Sequence, residues 1–261
     1  METASYNEAM KLLPCSFRFL STIVALGFVS VLHAQSPQHP LPISGPTTIT
    51  AGGYYQLTNS IITHATTGNI ITIQANNVTV DFNGFFINGP VNAGSNLIGV
   101  YANEYGNLTI KNGSIAYCRD GIVFTGNNNS TTTRNINQII ENMRITRCYE
   151  YGVNIPASSP GTAVSNCQFS QIGGSTVTGT FAIAVYGPSS DRTILVRDNI
   201  VNTVNAANLG PNQTYGIVYA FAVRNSVANC YYGVYGGKYQ NNLSSNCTTP
   251  FAGGTDAGAN N

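Results

Sequence analysis

One short phrase recurs along this 261-residue chain, and a phrase so short can fold only by stacking on its own copies. It reads IKNGSIAYCRDGIVF at 110–124, ENMRITRCYEYGVNI at 141–155 and RNSVANCYYGVYG at 224–236. Aligned on the Asn after a short apolar strand, the series runs Asn112, Asn142, Asn166, Asp198, Asn225 and Asn241. In four of these units a Cys follows five or six positions later: Cys118, Cys148, Cys230 and Cys247. A Gly before a β-branched residue recurs too, at Gly99-Val100, Gly121-Ile122, Gly152-Val153, Gly216-Ile217 and Gly233-Val234, with Ala182-Ile183 filling the remaining slot.

Each unit holds two or three strands of about four residues with period-two apolar patterning and Asn or Gly at the bends. The mature chain shows no sustained helical stripe. A unit of this size cannot bury its own apolar face, so successive units must pair in parallel, roughly 4.8 Å apart, with equivalent side chains in files. Asn suits a recurrent bend because it tolerates left-handed backbone and can bond the Asn above and below. Cys suits an inward file as a small hydrophobe. An antiparallel sandwich is the rival; it would need hairpin turns between neighbouring strands.

These residues carry a resemblance. TTITAGGYYQL, ITIQANNVTVDFNG, NLTIKNGSI and the YGV-type strands resemble those of right-handed parallel β-helix, pectin lyase-like proteins, over about residues 47–250. The resemblance implies an all-β class, a single right-handed parallel β-helix (solenoid), and the hand comes from it rather than from spacing. It also implies partners, polysaccharides or cell-surface glycans, and, for lyases of this kind, a calcium cofactor. Neither enzyme pattern of the superfamily transfers by residue. No Asp-Asp pair occurs, and after the leader only His39 and His64 remain, both ahead of the repeats. Acidic residues are too scattered for a calcium cage, so no cofactor and no metal site is expected.

Charge and the N-terminus bound the rest. Only 8% of residues are charged, the net charge is +1, and no Lys/Arg run occurs, which excludes a nucleic-acid surface. Lys11 and Arg18 precede an apolar run from Phe19 to Leu32 that ends at Ala34. Residues 1–34, with a start at Met10, therefore read as a secretory signal, giving a secreted or periplasmic protein without stable membrane insertion. The run is short for a membrane anchor. Residues 35–46 form a Pro-rich linker, 47–250 the coil and 251–261 a tail over its open end. Uneven unit lengths place insertions at 125–135, 156–162, 173–180 and 204–214.

Two constellations carry candidate chemistry. Counted from the cysteines, Asp120 and Glu150 stack in neighbouring turns, as a carboxylate pair of a glycosidase would. Counted from Gly121 and Gly152, Arg119 faces Glu150 in an ordinary ion pair. Arg147 completes this set of catalytic candidates, which could meet a uronate carboxylate. The second constellation is aromatic: Tyr149, Tyr151, Tyr215, Tyr219, Tyr231, Tyr232 and Tyr235 gather around the Gly-Val strands, where flat faces suit sugar rings. The expected function is glycan binding along a groove without catalysis. A lyase or hydrolase acting on a uronate polymer, and a structural or adhesive envelope element, are the alternatives.

Overall fold

The computed structural model describes residues 39–126, 136–157, 159–175, 181–188, 194–204 and 213–261. Residues 1–34, and much of the insertions at 125–135, 173–180 and 204–214, lie outside the described residues.

All strand pairs among the described residues are parallel and join one unit to the next, in a sixteen-stranded sheet and a nine-stranded sheet. Strands Ile139–Thr146 and Tyr151–Asn154 illustrate one lap. The first is bent at Asn142 into two short runs that pair separately with Ala163–Ser165 and Gln168–Ile172, so a lap has three faces. The second lies in the narrower sheet between Asp120–Thr125 and Ala182–Tyr186. Parallel strands connected by crossovers take the right-handed course. The chain is a right-handed parallel β-helix, as the resemblance implied.

Alternation along each strand explains the core. In Ile139–Thr146, Ile140, Met143 and Ile145 are buried while Arg144 is exposed. Register then stacks like on like: Val80, Ile110, Ile140, Val164, Val196 and Ala222 form one inward file. Ile87, Ile115, Ile145, Phe169, Val201 and Val227 form a second. Ile71, Val100, Ile122, Val153, Val185, Ile217 and Val234 form the third.

The bends are left-handed, as Asn predicted. Asn112, Asn142, Asn166, Asp198 and Asn241 have φ between 54° and 60°. The sixth residue of that file is Arg224 (φ 52°), not Asn225. Asn225 lies one position further, in an interior file of Cys167, Asn199, Asn225 and Asn242. There each Asn Oδ1 accepts from the backbone N–H of the lap before it, at 2.9–3.0 Å. Asn199 and Asn225 each also donate 2.9 Å side-chain hydrogen bonds to the Oδ1 of the next Asn in the ladder. Asn260, in the tail, closes the ladder by accepting from Asn242. Arg224, displaced onto the surface, pairs with Asp198 of the preceding lap at 2.8 and 2.9 Å.

Two boundaries and one repeat slot differ from expectation. The coil already begins with strand Leu41–Ile43, which pairs with Gly53–Leu57, because Ile43 is buried beneath the next lap. Tail strands Thr249–Ala252 and Thr255–Asp256 extend both sheets by a further partial lap. The slot assigned to Ala182-Ile183 belongs to Ala184-Val185, since Val153 pairs with Val185 and Val185 with Ile217.

Candidate functional site

The outer face of the narrow sheet carries the aromatic residues. Register places Ile98, Asp120, Tyr151, Ile183, Tyr215 and Tyr232 in one file across six laps. Tyr101, Val123, Asn154, Tyr186, Val218 and Tyr235 form the file beside it. A Gly or Ala follows each member of the first file, and its would-be side chain points inward at the next lap. A Cβ on Gly152 would sit 2.5 Å from the Ala184 carbonyl oxygen and 2.7 Å from the Phe169 ring. Only a residue without a side chain fits there, between outward Tyr151 and inward Val153.

Between these files lies a cleft of about 240 Å³, lined by Tyr151, Phe181, Ile183, Tyr186, Tyr215, Val218, Tyr219 and Tyr235. Ile183 and Val218 are buried, and the tyrosines are half-buried. The rings brace one another edge to face: Tyr151 on Tyr186 at 5.8 Å, Tyr186 on Tyr219 at 6.2 Å, and Tyr219 on Tyr235 at 5.8 Å. Tyr232 stacks on Tyr215 at 4.9 Å with 13° between planes, and Tyr231 abuts Tyr232 at 4.7 Å. Such contacts fix ring orientation and leave the exposed faces preorganised.

Of the expected tyrosines, Tyr151, Tyr215, Tyr219 and Tyr235 line the cleft, and Tyr231 and Tyr232 support its edge. Tyr149 does not: it is 8% exposed, its hydroxyl donating to Pro90 O at 3.0 Å and accepting from Asn92 N–H at 2.8 Å. It ties a loop to the coil. Tyr186 and Phe181 were missed. The signal for Tyr186 is the run Ala184-Val185-Tyr186, which matches Gly233-Val234-Tyr235 once the slot is assigned correctly.

A charged cluster adjoins the cleft at Tyr151. The lap containing Glu150 has one more residue between its Cys and its Gly than the lap below, so both sequence registers hold in part. Asp120 pairs with Tyr151, and Arg119 sits between the two acids. Its Nη2 lies 2.9 Å from Asp120 Oδ2 and its Nε 3.8 Å from Glu150 Oε2. Ser175 Oγ lies 3.3 Å from Glu150 Oε1. Asp120 is 1% exposed, and its Oδ1 has no hydrogen-bond partner among the described residues. Burial raises the Asp120 pKa, although Arg119 pulls it back. Burial and then the charge of Asp120 raise that of Glu150. Burial, Asp120 and Glu150 together push Tyr151 up to about 12. Arg147 stands apart, at the bend, bonded to the Tyr117 hydroxyl and to Gln171.

The two acids give a pH signature. A carboxyl raised in the folded state adds stability that is full below the unfolded pKa and is lost as pH rises through the folded pKa. Asp120→Asn removes that loss. The melting temperature of the variant minus that of the parent should therefore grow by a few degrees from pH 4 to pH 8 in thermal scans. A difference independent of pH would contradict the assignment.

Among the described residues no three His, Cys, Asp or Glu side chains group so as to hold a metal ion. No protein-family model and no curated protein sequence matches this chain. Among solved structures it is similar to an alginate lyase from Paenibacillus sp. str. FPU-7, with 15% identity over 84% of this chain and 87% of that one, at a TM-score of 0.42. It is also similar to the catalytic domain of a GH87 alpha-1,3-glucanase in complex with tetrasaccharides, with 11% identity over 87% and 70% of the chains, at a TM-score of 0.24. At these values neither likeness bears on activity.

Proposed function

We propose that the protein is exported and binds an uncharged glycan along the tyrosine cleft, without catalysis. The observation that carries this reading is the cleft itself: five tyrosines and a phenylalanine held by one another, with no charged residue among the described residues lining it. Aromatic faces bury the C–H surface of sugar rings, while phenolic hydroxyls bond the sugar hydroxyls. A uronate polymer would need unpaired cations. Among the described residues, Arg119 is the cation beside the cleft, and it already faces two carboxylates.

Hydrolysis is a second reading, favoured by a single observation: Asp120 and Glu150 share one cation, and both are shifted toward the protonated form that a general acid needs. A glycan array scored for retention, with reducing ends assayed on each retained polymer, separates the readings. Retention on neutral glycans without new ends is expected. New reducing ends that vanish in Asp120→Asn would establish the hydrolase, and no retention at all would leave the scaffold as an envelope element.

A further inference from the structure

Five cysteines lie among the described residues, and four share one inward file: Cys118, Cys148, Cys230 and Cys247, with Ile172 and Val204 between them. The file follows directly after the second left-handed bend, at Tyr117, Arg147, Gln171, Thr203, Asn229 and Asn246. Two neighbouring pairs are possible, and they differ. Cys118 and Cys148 are both fully buried, and the Cys118 thiol points to the Ala116 carbonyl at 3.7 Å. Cys230 and Cys247 are 17 residues apart, and their Sγ atoms approach to 2.9 Å. That is inside van der Waals contact. Cys247 is also only partly covered, since the coil beyond it is a partial lap.

We infer that Cys230 and Cys247 are a disulfide site that staples two consecutive laps at the C-terminal end of the coil. In-register residues of adjacent parallel strands stand roughly 4.8 Å apart, within the Cα separations that a disulfide spans. The location has a use. The last laps lack a full neighbour on one side, so they open first, and a covalent link across a 17-residue loop restrains the opened state. Chemistry favours Cys247 as the attacking sulfur. The Cys230 thiol donates to it, and this lowers its pKa to about 6, whereas the same contact and burial push Cys230 up. The Cys247 thiolate attacks a small-molecule disulfide, forming a mixed disulfide and releasing one thiolate. Cys230 then gives its proton to solvent and attacks the Cys247 sulfur, releasing the second. Two protein thiols are oxidised, and one external disulfide is reduced to two thiols.

The sequence supplies a direct test. Trypsin cuts after Arg224 and Lys238, and no Lys or Arg follows, so Cys230 and Cys247 fall in separate peptides, 225–238 and 239–261. The full chain is reduced, incubated folded with oxidised glutathione, alkylated with N-ethylmaleimide and digested. The expected product is the two peptides joined, two hydrogens lighter than their sum, and separated by dithiothreitol. The melting temperature should rise by roughly 5–10 °C on oxidation, and Cys247→Ser should show neither effect. Recovery of both peptides as separate alkylated or glutathione-bearing species, or linkage through Cys118, Cys148 or Cys167 instead, would overturn the assignment.

Discussion

Asn225→Leu is expected to destabilise the protein by about 3–5 kcal/mol, more than any substitution at the visible Asn bends. Asn225 is 1% exposed, and its side chain serves both neighbouring laps. Its Oδ1 accepts from the Asn199 N–H and from the Asn199 side chain, and its Nδ2 donates to Val196 O and Asn242 Oδ1. Leucine leaves these partners facing hydrocarbon, where each unpaired polar group costs about 1–3 kcal/mol. Asn241, one position before the next ladder residue, is exposed at φ 54°. Its change to Gly should alter stability by less than about 1 kcal/mol, because glycine adopts that backbone freely. Denaturant melts of the two variants check the contrast. Equal midpoints would mean that the interior ladder carries no special share of stability.

Gly152→Val should be nearly as costly, at about 3 kcal/mol or more. The added side chain would meet the Ala184 carbonyl oxygen and the Phe169 ring, and neither can retreat, since both belong to laps packed from two directions. Ala184 occupies the equivalent position one lap on. Its replacement by glycine should cost only about 1 kcal/mol, from backbone entropy and a lost methyl. Thermal unfolding of this pair measures how strictly the slot excludes a side chain. A Gly152→Val protein that melts with the parent would show that the laps are not held at the close approach described.

The repeat exposed the architecture because a stacked coil writes its geometry into the sequence at every lap. Inward files demand Ile, Val or a small residue, and left-handed bends demand Asn or Gly, so both recur at coil spacing. The exceptions were the places where two periodicities slipped against each other. Asn225 stands five residues before its Cys, whereas Asn112, Asn142 and Asn241 stand six before theirs. That single short count marks Arg224 as the bend residue and Asn225 as interior, yet an Asn looks natural in either file. The same slippage hid Tyr186: Ala182 and Ala184 are both small, and only pairing chooses between them.

The candidate site was less legible. The sequence set tyrosines beside the Gly-Val strands, but which of them line the cleft depends on the register of each lap. Tyr149 and Tyr151 flank one acidic residue, and one ties down a loop while the other opens onto the cleft. The ambiguity between Asp120 and Arg119 as the partner of Glu150 came from a real one-residue insertion. Arg119 resolves it by bridging both carboxylates.

Affinity electrophoresis through gels cast with neutral or uronate polysaccharides tests the central claim most directly. The parent protein should be retarded by a neutral polymer and not by a uronate one. The double variant Tyr186→Ala/Tyr215→Ala should bind at least about tenfold more weakly, a loss of about 1.4 kcal/mol, while its circular dichroism shows the fold retained. Retardation by the uronate gel alone, or equal retardation of the parent and a folded double variant, would contradict the account.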